Sequence, residues 1–146
     1  MSGPTIYYIR HGETQWNADG RLQGVQDTAL NDLGRSQAAQ AGRILADLLV
    51  RDGRDKSVLP YVSSPLLRAR TTMEIMRKTL SLPVPDYATD DRLREIGYGQ
   101  WEGFTLAEMQ AAVSGCLDLR GFVIVRPRLY DWKQRQKNAP RCQNTI

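Results

Sequence analysis

One histidine, His11, serves all 146 residues of the chain, and cysteine is nearly as scarce. Cys116 and Cys142 lie far apart and fit no metal-ligand spacing, so both are read as free thiols of a reducing compartment. Long apolar runs are missing: none approaches the roughly 18–20 residues that a membrane helix needs. The amino terminus, MSGPT, lacks a basic stretch followed by an apolar one, so no secretory leader is read there. These absences set the expectation of a cytoplasmic protein with no membrane contact, no metal and no other cofactor.

Acidic residues are also scarce in one place. From Arg120 onward a single acid, Asp131, faces seven basic residues, whereas the first 119 residues carry 13 basic and 15 acidic ones. The overall charge of +4 therefore belongs to the tail. This shift marks a compositional boundary: an α/β domain over residues 1–113, then an atypical basic segment over 114–146. A basic run is a solvated surface more often than a binding site, so the tail alone does not argue for nucleic acid.

Thr5–Ile9 is short, β-branched and aromatic, and reads as a strand covered on both faces. Residues 11–30, rich in Gly, Asn, Asp and Gln, read as a long loop, and loops of that length are usually functional. After Leu30-Asn31 a helix is expected, with Ala38, Ala41, Ile44, Leu45, Leu48 and Leu49 inward and Gly53 as its stop. Leu59–Val62 reads as a second strand. A second helix is then expected from the Ser64 cap and Pro65 to about Leu80, with Leu67, Thr71, Ile75 and Leu80 inward. Residues 91–103 are irregular, Leu106–Val113 begins a core-facing helix, and Phe122–Val125 is a candidate strand. Strand and helix alternate, which predicts an α/β fold: a mainly parallel sheet with helices on both faces, incomplete at its carboxyl-terminal end.

Two strand ends carry the chemistry, as the carboxyl ends of strands do in open α/β sheets. Arg10-His11-Gly12 follows the first; Ser63-Ser64-Pro65, with Arg68 in the next helical turn, follows the second. Guanidinium forks match phosphoryl oxygens, helix starts favour anions, and Gly12 lets the backbone approach a ligand closely. An imidazole beside arginines is held neutral, and a neutral imidazole is a nucleophile. The inferred step is in-line transfer of a phosphoryl group to His11.

Four ordered motifs extend this reading: Tyr8-Ile-Arg-His-Gly-Glu-Thr-Gln-Trp-Asn17; Arg21-Leu-Gln-Gly24 with Leu30-Asn-x-x-Gly34-x-x-Gln-Ala38; Val62-Ser-Ser-Pro-Leu-x-Arg-Ala69; and Leu93-x-Glu-Ile-x-x-Gly-x-Trp-Glu-Gly103. Over roughly residues 4–113 the chain resembles the histidine phosphatase superfamily, which includes phosphoglycerate mutases and acid phosphatases. The resemblance implies a phosphoglycerate mutase-like fold and metal-independent phosphomonoester hydrolysis through a phosphohistidine at His11. It also implies Glu95 as proton donor and water activator, Arg10, Arg68 and Asn17 as phosphate ligands, and a small phosphorylated metabolite as substrate. Arg21-Leu-Gln-Gly and Asp27-Thr-x-Leu-Asn31 resemble phosphatase-type members more than dedicated mutases, so mutase-type phosphoryl transfer is the alternative.

The family's second catalytic histidine has no counterpart here, since His11 is the only one. Three readings follow: a truncated or frame-shifted product near Val113 or Ser114, a phosphate-binding relative without turnover, or an acquired tail that binds nucleic acid or acidic partners. Losing one charge-assisted bond to a phosphoryl group costs about 1.5–3 kcal/mol, or one to two decades of rate.

Overall fold

The structure, a computed structural model, describes residues 5–114. Both cysteines, the basic tail and the Phe122–Val125 candidate strand lie outside the described residues. The chain divides into two compact units, Met1–Leu106 and Ala107–Ile146.

The first unit is built on two long helices. α1, a single turn, spans Gln15–Ala18, α2 spans Asp32–Arg51 and α3 spans Leu67–Thr79. Asn31 caps α2 by accepting the Gly34 N–H, as its position before an apolar stripe requires. Leu45 and Leu49 of α2 meet Met76 of α3 and its C-cap Leu80, and these four form one buried cluster of the core. Each such side chain contributes about 1.5–3 kcal/mol by leaving water. Tyr7, Ile9, Leu59, Tyr61 and Leu82 pack around the cluster.

The sheet is a parallel pair, β1 (Val62–Ser63) and β2 (Ala88–Thr89), with Val62 opposite Ala88 and Ser63 opposite Thr89. This register brings both carboxyl ends together. β1 leads into α3 and Arg68, while β2 leads into the 3-10 turn Asp91–Leu93 and then Glu95. A second 3-10 turn covers Gly99–Trp101, and α4 spans Leu106–Ser114.

The α/β class is as expected, but four local expectations need correcting. Thr5–Ile9 joins no ladder. It keeps the alternation of a strand, with Tyr7 and Ile9 half-buried against the core and Ile6 and Tyr8 exposed at 80% and 88%. An apolar strand expects cover on two faces, and here α2 and α3 cover one. Second, α3 starts at Leu67 rather than Pro65, and Ser64 is not its cap. Leu67 N–H instead donates to the Asp27 carboxylate, forty residues away, so a partner from another loop displaces the local one.

Third, the buried stripe of α3 is Arg68, Thr72 and Met76 rather than Leu67, Thr71 and Ile75. A reading by hydrophobicity excludes arginine from an inner face, and this arginine faces the functional end. In α2 the buried positions likewise include Gly34 and Gly42, while Ile44 is half exposed. Finally, Leu106, expected to open a core-facing helix, is 58% exposed.

Candidate functional site

His11 directly follows the segment that Tyr7 and Ile9 anchor to the core, so its backbone is fixed from one side. Gly12 fixes it from the other. Gly12 N–H donates to Thr72 Oγ1 at 3.0 Å, and the Thr72 hydroxyl donates to the Arg68 carbonyl at 2.7 Å. A methyl group at Gly12 would stand 2.1 Å from the Gly34 carbonyl, and one at Gly34 2.0 Å from the Glu13 carbonyl. The loop and the start of α2 therefore touch backbone to backbone, and only glycine fits at either position. Glu13 completes the junction: its N–H donates to Gln37 Oε1, and its carboxylate accepts from Asn31 Nδ2.

The imidazole Nδ1 lies 2.7 Å from the Gly12 carbonyl. A carbonyl only accepts, so Nδ1 carries the proton and a neutral ring keeps its lone pair on Nε2. Burial pushes the His11 pKa below the usual imidazole value, and the charges of Arg68 and Arg10 push it the same way. The Gly12 bond and the Glu95 carboxylate oppose them. The ring thus lies within the fields of both arginines and of Glu95.

Arg68 is 2% exposed, yet among the described residues no carboxylate forms an ion pair with it. Its Nη1 donates to the Gln26 carbonyl at 2.8 Å and its Nη2 to the Gly24 carbonyl at 2.9 Å. A guanidinium has five donors, so Nε–H and the second hydrogens of both Nη atoms remain without a partner among the described residues. Burial pushes its pKa down, and the carboxylates of Glu95, Asp27 and Glu102 push back. A buried cation held by carbonyls alone is costly unless an anion completes it. Arg10 is exposed.

Asn17 is not wholly committed to a ligand. Thr14 and Asn17 form a capping box around α1: the Thr14 hydroxyl accepts the Asn17 N–H, and Asn17 Oδ1 accepts the Thr14 N–H. That leaves Asn17 Nδ2 as the atom able to meet an anion. The buried Gln23 amide oxygen accepts from the Thr14 and Thr28 hydroxyls and holds the loop shut.

Glu95 is exposed, and its carboxylate accepts the Ile96 N–H at 3.0 Å. Its neighbours Arg92 and Arg94 pair with Asp90 and Asp91 instead, so neither neutralises it. Trp16, Trp101 and Phe104 serve packing. Trp101 meets Phe104 edge to face at 5.7 Å, and Trp16 rests over Gly103. Three residues of the site escaped sequence reasoning: Thr72, Asp27 and Glu102. Thr72 carried a usable signal, since it lies one helical turn after Arg68. Asp27 and Glu102 stand inside the motifs quoted above, but their partners lie 40 and 77 residues away, so no local signal gave their contacts.

Residues 6–120 match the family described as the histidine phosphatase superfamily, branch 1. The chain belongs to that superfamily. It is 41% identical over 110 residues to a glucosyl-3-phosphoglycerate phosphatase of Mycolicibacterium vanbaalenii, which covers 75% of this chain and 44% of the relative. It is 38% identical over 97 residues to a probable phosphoglycerate mutase of Salmonella choleraesuis, covering 66% of this chain and 40% of the relative. Among solved structures, a mycobacterial glucosyl-3-phosphoglycerate phosphatase in complex with VO3 superimposes with a TM-score of 0.59 at 36% identity, over 72% of this chain and 47% of that one. A phosphoserine phosphatase from Entamoeba histolytica, solved with 3-phosphoglyceric acid, gives a TM-score of 0.54 at 31% identity, over 70% of this chain and 45% of that one. The chain thus spans about half the length of the relatives it matches. This superfamily membership accords with the phosphoglycerate mutase-like α/β fold.

Proposed function

We propose that this chain hydrolyses a small phosphorylated metabolite, a phosphomonoester, through a phosphohistidine on His11. The observation that carries the reading is the His11 ring itself: Nδ1 is committed to the Gly12 carbonyl, and burial with two arginines favours a neutral Nε2. Nε2 attacks phosphorus, and the bond to the ester oxygen breaks. Glu95, in its acid form, gives its proton to the departing alkoxide, an assistance worth about 10²–10⁴ in rate. Glu95 then takes a proton from water, the water oxygen bonds to phosphorus, and the P–N bond breaks to release inorganic phosphate. Arg68, Arg10 and Asn17 Nδ2 hold the phosphoryl oxygens, a contribution of about 2.7–4 kcal/mol per donor by analogy with oxyanion sites. No step uses a metal.

The test is phosphate release from a generic aryl phosphate by the full chain. Turnover that survives EDTA and vanishes in His11→Ala is the expected result. Complete inhibition by the chelator removes this mechanism. A second reading, phosphate binding without turnover, is favoured by the lone histidine of the chain. It is recognised by a phosphate-raised melting temperature with no release of product. Mutase-type transfer is distinguished by phosphoryl appearing on a second hydroxyl of an added acceptor rather than in solution.

A further inference from the structure

We propose that Glu102 is a positioning residue: it orients Arg68 through the Gly24–Val25 peptide group and tethers the segment that carries Glu95. The proposal rests on the phosphoryl-transfer reading above and adds a residue to it. Glu102 follows the Gly99–Trp101 turn and is half-buried. Its Oε1 accepts the Val25 N–H at 3.0 Å and the Tyr98 N–H at 3.1 Å, and its Oε2 accepts Gln26 Nε2 at 2.7 Å. On the far side of the same loop, Arg68 donates to the Gly24 and Gln26 carbonyls.

The Val25 N–H and the Gly24 C=O belong to one peptide group. That group lies between a carboxylate on its N–H and a guanidinium on its C=O, so its dipole is aligned by both charges. Hydrogen bonds in such a chain strengthen one another, and those to ionised groups are the strong ones. Gln26 repeats the arrangement, with its side-chain amide on Glu102 and its carbonyl on Arg68. The loop is built to admit the carboxylate: Gly24 has a positive φ of 55°, and a methyl group there would stand 2.2 Å from Glu102 Oε1. The Tyr98 bond draws in the other side of the site, because Tyr98 is three residues from Glu95. One side chain thereby ties the phosphate-facing arginine to the segment of the proton donor.

Glu102→Ala and Glu102→Gln in the full chain test this by amide exchange, by the Arg68 Nε–H resonance with inorganic phosphate, and by steady-state kinetics. In Glu102→Ala, exchange at Val25 and Tyr98 is expected to quicken by about tenfold or more while α2 and α3 stay protected. Phosphate binding is expected to weaken by about tenfold, and the Arg68 Nε–H resonance to shift. Turnover is expected to lose on the order of 10²-fold in kcat with a smaller change in KM, because Glu95 acts only in the chemical step. Glu102→Gln keeps the Oε1 acceptor but sets its amide nitrogen against Gln26 Nε2, so its effects should fall between Glu102→Ala and wild type.

Unchanged exchange at Val25 and Tyr98, or unchanged phosphate affinity and Arg68 resonance, overturns the proposal. Should Glu102→Ala expose α2 and α3, Glu102→Gln decides by the same criteria. A wild-type chain without turnover overturns the enzymatic reading alone, since exchange and phosphate binding still judge the latch.

Discussion

At the residue scale, the decisive group is His11, and its environment gives a pH signature. Its folded pKa is depressed, first by burial and then by the arginines, so the unfolded chain takes up the proton first as pH falls. The stability that the neutral ring contributes is therefore complete above the unfolded value near 6.5 and is lost as pH falls from there through the folded value. His11→Asn removes this titration. The stability difference between wild type and His11→Asn is expected to shift against wild type between about pH 7 and pH 5, in urea unfolding at the two pH values. A difference that stays constant would contradict the depressed pKa. Arginine at a buried position shows why single residues were only partly legible. Arg68 was recognisable by motif, but its two carbonyl partners at Gly24 and Gln26 lie more than forty positions back in the chain.

At the scale of elements, helix ends and close backbone contacts decide where side chains point. The α3 amino terminus is held by Asp27 rather than by a local cap. Asp27→Ala is expected to cost about 1 kcal/mol in chemical denaturation, the usual worth of an N-cap. Ser64→Ala should then cost less than Asp27→Ala, and the reverse order would restore Ser64 as the cap. Gly34 provides a sharper test. Glycine to alanine within a helix ordinarily stabilises by roughly 0.5–1 kcal/mol. In α2 the added methyl would collide with the Glu13 backbone at 2.0 Å, so Gly34→Ala is expected to destabilise by about 1–3 kcal/mol. A stabilised variant would mean that the loop and helix are not in contact. The helices themselves were readable, α2 from its asparagine cap to its last turn, because their apolar spacing is local. The rotation of α3 was not, because its inner face serves Arg68 and Thr72 as well as the core.

At the scale of the molecule, the order of elements matters more than their length. Among the described residues two strands of two residues each pair in parallel, which sets the chain after β1 beside the chain after β2. The Thr5–Ile9 segment contributes one packed face, and its exposed residues bear little on stability. Tyr8→Lys is expected to leave the unfolding free energy within about 0.5 kcal/mol of wild type, since the side chain is 88% exposed. A large loss in the same denaturation assay would show that Tyr8 is covered in solution.

The α/β class and the helix that begins after Asn31 were determined by sequence alone. Each depends on spacing within a few residues or on a motif read as a unit. Only the tertiary structure decided that Asp27 caps α3, that Thr72 fixes Gly12, and that Glu102 and Arg68 share one peptide group. Those contacts join positions 40 to 77 residues apart, and the bond that makes each of them exists only once helices and loops have docked.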